Sequence, residues 1–77
     1  MSITVNFMGV LADKAGQPKI SIEKGGLKSS ILNSILLAHP LLKDLSFAVS
    51  QNGIIVHGEA NIIDGDEITL IPPAPGG

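Results

Sequence analysis

The chain has 77 residues, of which 44% are apolar and only two are aromatic, with no cysteine and a formal net charge of −2. A chain of this length forms one small domain. Without cysteine it holds no disulfide framework, thiolate nucleophile or Cys-based metal site. A nucleic-acid binder usually has a basic surface and aromatic rings that stack on bases. This chain has only five scattered lysines and two aromatic residues. We therefore expect no nucleic-acid partner.

The N-terminal ten residues predict neither export nor membrane insertion. They have no basic segment followed by a long apolar stretch, so they do not resemble a signal peptide. No run reaches the roughly 18 consecutive apolar residues of a membrane span. We therefore expect a cytoplasmic protein that does not bind membranes.

The first third of the chain predicts two strands. Residues 3–8 and 19–23 alternate between apolar and other side chains, which is typical of half-buried strands. Residues 10–18 contain Asp, Gly and Pro and predict an irregular connection that ends near Gly16. The side chains expected to face the core are those of Ile3, Val5, Phe7, Ile20 and Ile22.

Residues 27–38 change to a helical period and predict an amphipathic helix packed on the sheet. Gly26 or Ser29 is the expected N-cap. His39-Pro40 ends the helix, because the residue before proline avoids the α region. The apolar positions that recur at helical spacing are Leu27, Ile31, Leu32, Ile35, Leu36 and Ala38.

The second half predicts three strands. Asn52-Gly53 is a hairpin signal and Asp64-Gly65 a second turn pair. The expected segments are a strand at 47–51, a short strand at 54–58, a polar connection at 59–67 and a final strand at 67–71. The side chains expected to face the core are those of Phe47, Val49, Ile68 and Leu70.

This order of elements predicts an α+β fold of two layers, with one main helix on a mixed sheet of four or five strands. The first and last strands are the most apolar, so we expect them to be neighbours in the middle of the sheet. The predicted division of the chain is a folded domain at residues 1–71 and an extended tail at residues 72–77.

The tail combines three prolines with a Gly-Gly tip. Pro72, Pro73 and Pro75 fix φ near −65° and favour a stiff, polyproline-like spacer with a rise of about 3.1 Å per residue. Gly76 and Gly77 have no side chain, so they fit a channel too narrow for any Cβ. A free carboxylate on Gly77 is a group that could be adenylated. The alternative is an ordinary frayed terminus, where Pro and Gly are common.

The last fourteen residues, DGDEITLIPPAPGG, resemble the C-terminal signature of the MoaD-like sulfur carriers, the small subunit of molybdopterin synthase, within the ubiquitin-like MoaD/ThiS superfamily. Turn, apolar strand, Pro-Pro and Gly-Gly stand here in the same order, and the resemblance extends to the order of elements along the whole chain. It implies a ubiquitin-like β-grasp fold. Pro75 departs from the pattern, since the family commonly has a small residue there.

The resemblance also implies a mechanism. An ATP-dependent activating enzyme would adenylate Gly77, and a sulfur donor would convert it to a thiocarboxylate. The tail of Pro72, Pro73, Ala74, Pro75 and Gly76 would enter a large subunit, where the sulfur passes to cyclic pyranopterin monophosphate in molybdenum cofactor synthesis. The chain would bind no cofactor, and its partners would supply the catalytic groups, so it is not expected to be an enzyme alone.

Two further functions share these features. The carrier could serve thiamine thiazole synthesis, tRNA thiolation or protein conjugation, which use the same Gly-Gly tip. The chain could also be a non-covalent β-grasp adaptor in which Gly76 and Gly77 are incidental.

Two further surfaces are candidates for docking. Met8, Ile55 and Ile71 point away from the helix by alternation, and a cluster of them would form a partner interface; the alternative is that they are scattered singly. The carboxylates of the turn are predicted to form a solvated hairpin or an acidic docking patch, and no metal site is expected. These acidic residues are Asp64, Asp66 and Glu67.

Overall fold

The computed structural model describes residues 2–73. It contains two α-helices, a 3₁₀ turn and seven strands among these residues. In chain order the elements are β1 (Ile3–Phe7), α1 (Val10–Ala15), β2 (Lys19–Ile22), β3 (Gly26–Leu27), α2 (Lys28–Ala38), the 3₁₀ turn (Pro40–Leu42), β4 (Ala48–Gln51), β5 (Ile54–Ile55), β6 (Asn61–Ile62) and β7 (Glu67–Ile71).

Five of the strands form one mixed sheet in the order β2-β1-β7-β4-β5. β1 and β7 run parallel in its middle, with Val5 opposite Ile68 and Phe7 opposite Leu70, while β2 and β4 flank them antiparallel. The predicted central position of the first and last strands is therefore confirmed. The predicted α+β architecture, with α2 as the main helix, is confirmed as well.

The core forms where the alternation of the strands meets the apolar side of the helices. The residues that alternation placed inward in β1 and β7 are all buried, and Ile20, Ile22 and Phe47 are half-buried against them. Burying one such aliphatic side chain contributes about 1.5–3 kcal/mol. The buried apolar residues are Ile3, Val5, Phe7, Leu11, Ile31, Ile35, Leu42, Val49, Ile62, Ile68 and Leu70.

The main helix α2 begins differently from the prediction. Neither Gly26 nor Ser29 is the N-cap, because Leu27 occupies that position and has no side-chain oxygen to cap with. The carboxylate of Glu59, thirty residues away, instead accepts the Ser29 N–H at 3.0 Å and the Ser29 hydroxyl at 2.6 Å. Leu27 and Ala38 are also exposed, so the buried stripe is narrower than the pattern suggested.

Two predicted connections contain regular structure. Residues 10–18 were expected to be irregular, but they include α1, whose Leu11 is fully buried because the core accepts it between the sheet and the 3₁₀ turn. Residues 59–67 include β6, which pairs antiparallel with β3 and buries Ile62. Both predictions were wrong because short segments with one apolar anchor give no periodic signal.

Local turn chemistry agrees with the sequence. Asn52 and Gly53 both have positive φ, 52° and 87°, and join β4 to β5. This is the combination that a tight hairpin requires and that Asn-Gly accepts at low cost. Within residues 2–73, no helix has the length and apolar character needed to cross a bilayer.

Candidate functional site

The last strand carries the chain out of the centre of the sheet. In β7, Leu70 is fully buried and its carbonyl accepts the Met8 N–H at 3.2 Å, so the strand is held to the end of β1 up to its last core residue. Ile71 then faces the opposite side and is half-buried. The tail therefore begins directly after a strand that is fixed by core packing and by pairing with β1.

Gly9 lies against the first residue of the tail. Its φ of 55° and ψ of −129° belong to a region that residues with a Cβ avoid. A Cβ placed on Gly9 would lie 3.4 Å from Cγ of Pro72, in van der Waals contact with the proline ring. Gly9 thus lets β1 turn into α1 while Pro72 passes close by. This role was not predicted from the sequence, although a glycine close behind the alternating residues of β1 is a signal for it.

An apolar groove lies beside the root of the tail. It has a volume of about 280 Å³, and within residues 2–73 none of the residues that line it is charged. Ala48 is opposite Ile71 in the ladder between β4 and β7, so the groove lies where the start of β4 meets the end of β7. We call it the root groove. Its lining residues are Ser46, Phe47, Ala48, Ile71, Pro72 and Pro73.

The three predicted interface residues lie near this end of the sheet. Met8 follows β1 directly and is 49% exposed, whereas Ile55 on the edge strand is 42% exposed and Ile71 is half-buried. Ile55 is opposite Ser50, and Ile71 is opposite Ala48 two residues earlier on the same strand. Ile55 and Ile71 therefore lie on the same face of the sheet, away from α2, on the two strands that flank β4. The interface itself stays a prediction.

The predicted acidic turn lies at the opposite end of β7. Glu67 begins the strand and Ile71 ends it, so about 13 Å separate the acidic turn from the root of the tail. The carboxylate of Asp66 accepts Gln51 Nε2 at 2.9 Å, Asn52 Nδ2 at 3.0 Å and the Ile63 N–H at 2.9 Å. These bonds make Asp66 a brace between the hairpin and β7.

The same bonds affect the acidity of Asp66. The N–H of Ile63, followed by the side chains of Asn52 and Gln51, holds the pKa of the Asp66 carboxyl below its ordinary value. Glu59 shows the same behaviour, since the hydroxyl and N–H of Ser29 lower its pKa. Hydrogen bonds to the charged form stabilise that form. Both carboxylates therefore stabilise the fold through hydrogen bonds within the domain.

Glu67 and Asp64 differ from Asp66. Glu67 is exposed, and its Oε2 accepts Asn6 Nδ2 at 2.9 Å across the β1–β7 pair. Asp64 is also exposed. The docking role predicted for this turn stays a prediction, with Glu67 and Asp64 the members most accessible to a partner. In the part of the chain from Ser2 to Pro73, no three His, Asp or Glu side chains come together as a metal site.

The predicted tail is only partly described. Pro72 is half-buried and Pro73 is exposed. The predictions for Ala74, Pro75, Gly76 and Gly77 lie outside the described residues. The division into residues 1–71 and 72–77 stays a prediction too.

The chain is similar to known proteins in family, sequence and structure. The model of the ThiS family matches residues 5–77. The molybdopterin synthase sulfur carrier subunit of Chlamydomonas reinhardtii is 31% identical over 83 residues, covering 100% of this chain and 100% of that protein.

Two solved structures are similar over their full length. SAMP1 from Haloferax volcanii has a TM-score of 0.86 at 24% identity, with 100% of each chain covered. A chain in the complex of subunits 1 and 2 of the molybdopterin-converting factor from Helicobacter pylori has a TM-score of 0.73 at 29% identity, again with 100% of each covered. The likeness to SAMP1 shows the fold alone, and it confirms the expected β-grasp.

Proposed function

Because this chain belongs to the ThiS family, we propose that it is a sulfur carrier that donates sulfur from its own C-terminal glycine. The resemblance to the MoaD-like carriers that the sequence suggested is confirmed by the family match and by the 31% identical carrier subunit. The 31% sequence identity to a molybdopterin synthase sulfur carrier subunit, over the full length of both proteins, is the observation that carries the proposal.

The proposed chemistry has two activation steps at Gly77. A carboxylate oxygen of Gly77 attacks the α-phosphorus of ATP on an activating enzyme, and pyrophosphate leaves. Sulfide (HS⁻) supplied by a sulfur donor then attacks the acyl carbon and AMP leaves, and loss of the proton on sulfur gives the thiocarboxylate. We assign ATP to the activating enzyme, and no cofactor to this chain.

The thiocarboxylate is then used by a large subunit. We propose that the tail enters the active site of this partner and that the sulfur passes to cyclic pyranopterin monophosphate. The thiocarboxylate sulfur bonds to a carbon of the substrate and displaces an oxygen substituent of that carbon, and water then cleaves the acyl–sulfur bond, which leaves the sulfur on the substrate and returns the Gly77 carboxylate. Two such rounds supply the two sulfurs of the dithiolene in molybdopterin. This assignment is supported by the similar chain of known structure that forms part of the complex of subunits 1 and 2 of the molybdopterin-converting factor from Helicobacter pylori.

The geometry at the root of the tail supports this role. A carrier must hold a reactive end away from its own core while presenting a fixed surface to successive partners. Here Leu70 anchors β7 in the core, and the chain passes Gly9 at Pro72. The uncharged root groove and the outward side chains of Met8 and Ile71 surround this exit. An apolar surface around a reactive tail suits enzymes that must bind it and release it.

The test is an intact-mass measurement. The protein is incubated with ATP, a cognate activating enzyme and a sulfur source, and its mass should rise by one oxygen-to-sulfur exchange. A variant without Gly77 should show no exchange, and a variant with one residue added after Gly77 should also stay unmodified. These controls place the sulfur on the terminal carboxyl. An unchanged mass with each of several cognate activating enzymes would overturn the carrier proposal.

The pathway is tested in a second assay. The thiocarboxylated protein is mixed with the large subunit of molybdopterin synthase and cyclic pyranopterin monophosphate. Formation of molybdopterin, with return of the carrier to its original mass, is the expected result. A thiocarboxylated carrier that transfers no sulfur in this mixture would assign it to another sulfur-accepting pathway.

A further inference from the structure

The root groove has the size and chemistry of a socket for one side chain. Its volume of about 280 Å³ lies just below the range of small-molecule sites, which is about 300–1,000 Å³. Its walls include the ring of Phe47 and the rings of Pro72 and Pro73, with no charged group among them. Phe47, Ile71 and Pro72 are each only half-buried, so apolar surface remains to be covered.

The spacing along the chain determines what lies over this groove during the reaction. Gly77 is four residues beyond Pro73, the last groove residue, and four residues span at most about 14 Å. An enzyme that reacts with Gly77 therefore has its reacting atoms within about 14 Å of the rim of the groove. The surface of that enzyme around the entrance for the tail is therefore within reach of the residues that form the groove.

We propose that the root groove receives one apolar side chain of the large subunit, next to the channel that takes the tail. This inference rests on the proposed function, since it requires that Gly77 reacts in that partner. The wall formed by Pro72 and Pro73 has fixed φ angles, so the groove is preorganised and loses little entropy when it is filled. The side chain acts as an anchor that sets the direction in which the tail enters.

The location of the groove separates this anchor from the predicted interface at Met8. Pro72 has Gly9 on the β1 side and the groove on the β4 side. A large subunit that contacts Met8 and also fills the groove would contact the root of the tail on both sides. A partner that contacts only the β1 side would leave Ser46 and Ala48 free.

The experiment fills the groove from two different walls. Ser46 and Ala48 are exposed, so Ser46→Trp and Ala48→Phe add bulk without entering the core. Each variant is titrated with the large subunit of molybdopterin synthase, and its dissociation constant is compared with that of the unchanged protein. We expect each filled groove to weaken binding roughly tenfold or more, because a buried anchor loses its pocket.

Two matched variants control for the side chains introduced. Ser30→Trp places the same large ring on an exposed position of α2, away from the groove, and should bind as the unchanged protein does. Ser46→Ala removes the hydroxyl without filling the groove and should also bind normally. Thermal melting of every variant shows whether a change in binding follows from a change in folding. Because there are two groove-filling variants, Ser46→Trp and Ala48→Phe (the fillers), one unstable variant does not decide the result.

The outcomes separate this inference from the function on which it rests. Normal binding by both fillers, with the unchanged protein binding well, overturns the groove anchor and leaves the carrier function intact. Failure of the unchanged protein to bind the large subunit overturns the pterin partner and the anchor together. Weak binding by both fillers and normal binding by both controls supports the anchor.

Discussion

The two ends of β7 differ in what their side chains do. At the beginning of the strand, Asp66 and its neighbours form hydrogen bonds that tie a hairpin to the sheet. At the other end, the groove, Ile71 and Pro72 leave apolar surface unused. One strand thus has a polar end whose side chains are bonded within the domain and an apolar end whose side chains stay partly exposed. Polar atoms that already have partners stabilise a fold, whereas exposed apolar clusters favour association.

The largest effect should come from the last core residue of β7. Leu70→Ala removes a fully buried side chain and should lower the free energy of unfolding by about 2–5 kcal/mol. Ile71→Ala, one residue further and half-buried, should cost only about 1 kcal/mol. Urea denaturation measures both. Equal losses would mean that the boundary between core and exit does not lie between these two residues.

The apolar end should be more sensitive in binding than in folding. Ile71→Glu places a charge on the face that we propose for the partner, and should weaken binding of the large subunit by about 2 kcal/mol or more. Isothermal titration against the unchanged protein measures this, with Leu37→Glu as the control, because it places the same charge on an 81% exposed side chain of α2. Undiminished binding of Ile71→Glu would remove this residue from the interface.

Gly9 tests how tightly the exit of the tail is determined. Gly9→Ala forces a Cβ into a backbone region that it avoids and toward Pro72, at a cost of about 1–3 kcal/mol. Gly16→Ala is the comparison, because its φ of 80° and ψ of 7° lie in the left-handed region that residues with a Cβ enter at lower cost, and no described atom lies within 4 Å of the added Cβ. Thermal melting compares the two. A loss for Gly9→Ala no larger than that for Gly16→Ala would show that neither the backbone region of Gly9 nor its contact with Pro72 adds to the cost.

The polar end should matter for stability alone. Asp66→Ala leaves the donors of Gln51, Asn52 and Ile63 without their acceptor, and should lower the melting temperature by several degrees. Asp64→Ala removes an exposed carboxylate from the same turn and should change little. Thiocarboxylation at a temperature where both variants are folded should be normal. A kinetic defect in the folded Asp66→Ala protein would extend the functional surface to this end.

The smallest effect should appear as a dependence of stability on pH. The pKa values of Asp66 and Glu59 are lowered by hydrogen bonds in the folded state, so the unfolded chain binds protons more readily than the folded one. Their stabilisation is complete at neutral pH and is lost as the pH falls below about 4, through the lowered values. In the double variant Asp66→Asn, Glu59→Gln, the melting temperature should fall less steeply as the pH is lowered across this range. If the melting temperature of that variant falls with pH as steeply as that of the unchanged protein, the loss of stability in acid comes from other carboxylates.

Sequence reasoning located the site through the β7 segment and the residues after it. The alternation of residues 67–71 places Leu70 inward and Ile71 outward, and the structure confirms both orientations. It did not reveal the root groove, because Ala48 reaches Ile71 only through the pairing of β4 with β7. Pairing between strands distant in the chain depends on the whole sheet, and no local pattern records it.

The sequence by itself determined the features that depend on local chemistry. Period-two alternation determined the faces of β1 and β7, Asn52-Gly53 determined a hairpin, and His39-Pro40 ended α2. Each follows from the geometry of one or two residues or from a repeating pattern.

Only the tertiary structure decided the features that depend on distant contacts. Leu11 became a core residue of α1, Glu59 capped a helix thirty residues earlier in the chain, and Asp66 became a brace instead of a free carboxylate. A carboxylate has the same appearance in the sequence whether it faces water or three donors. Folding decides which of these it meets, because the donors come from other elements that converge only when the sheet closes.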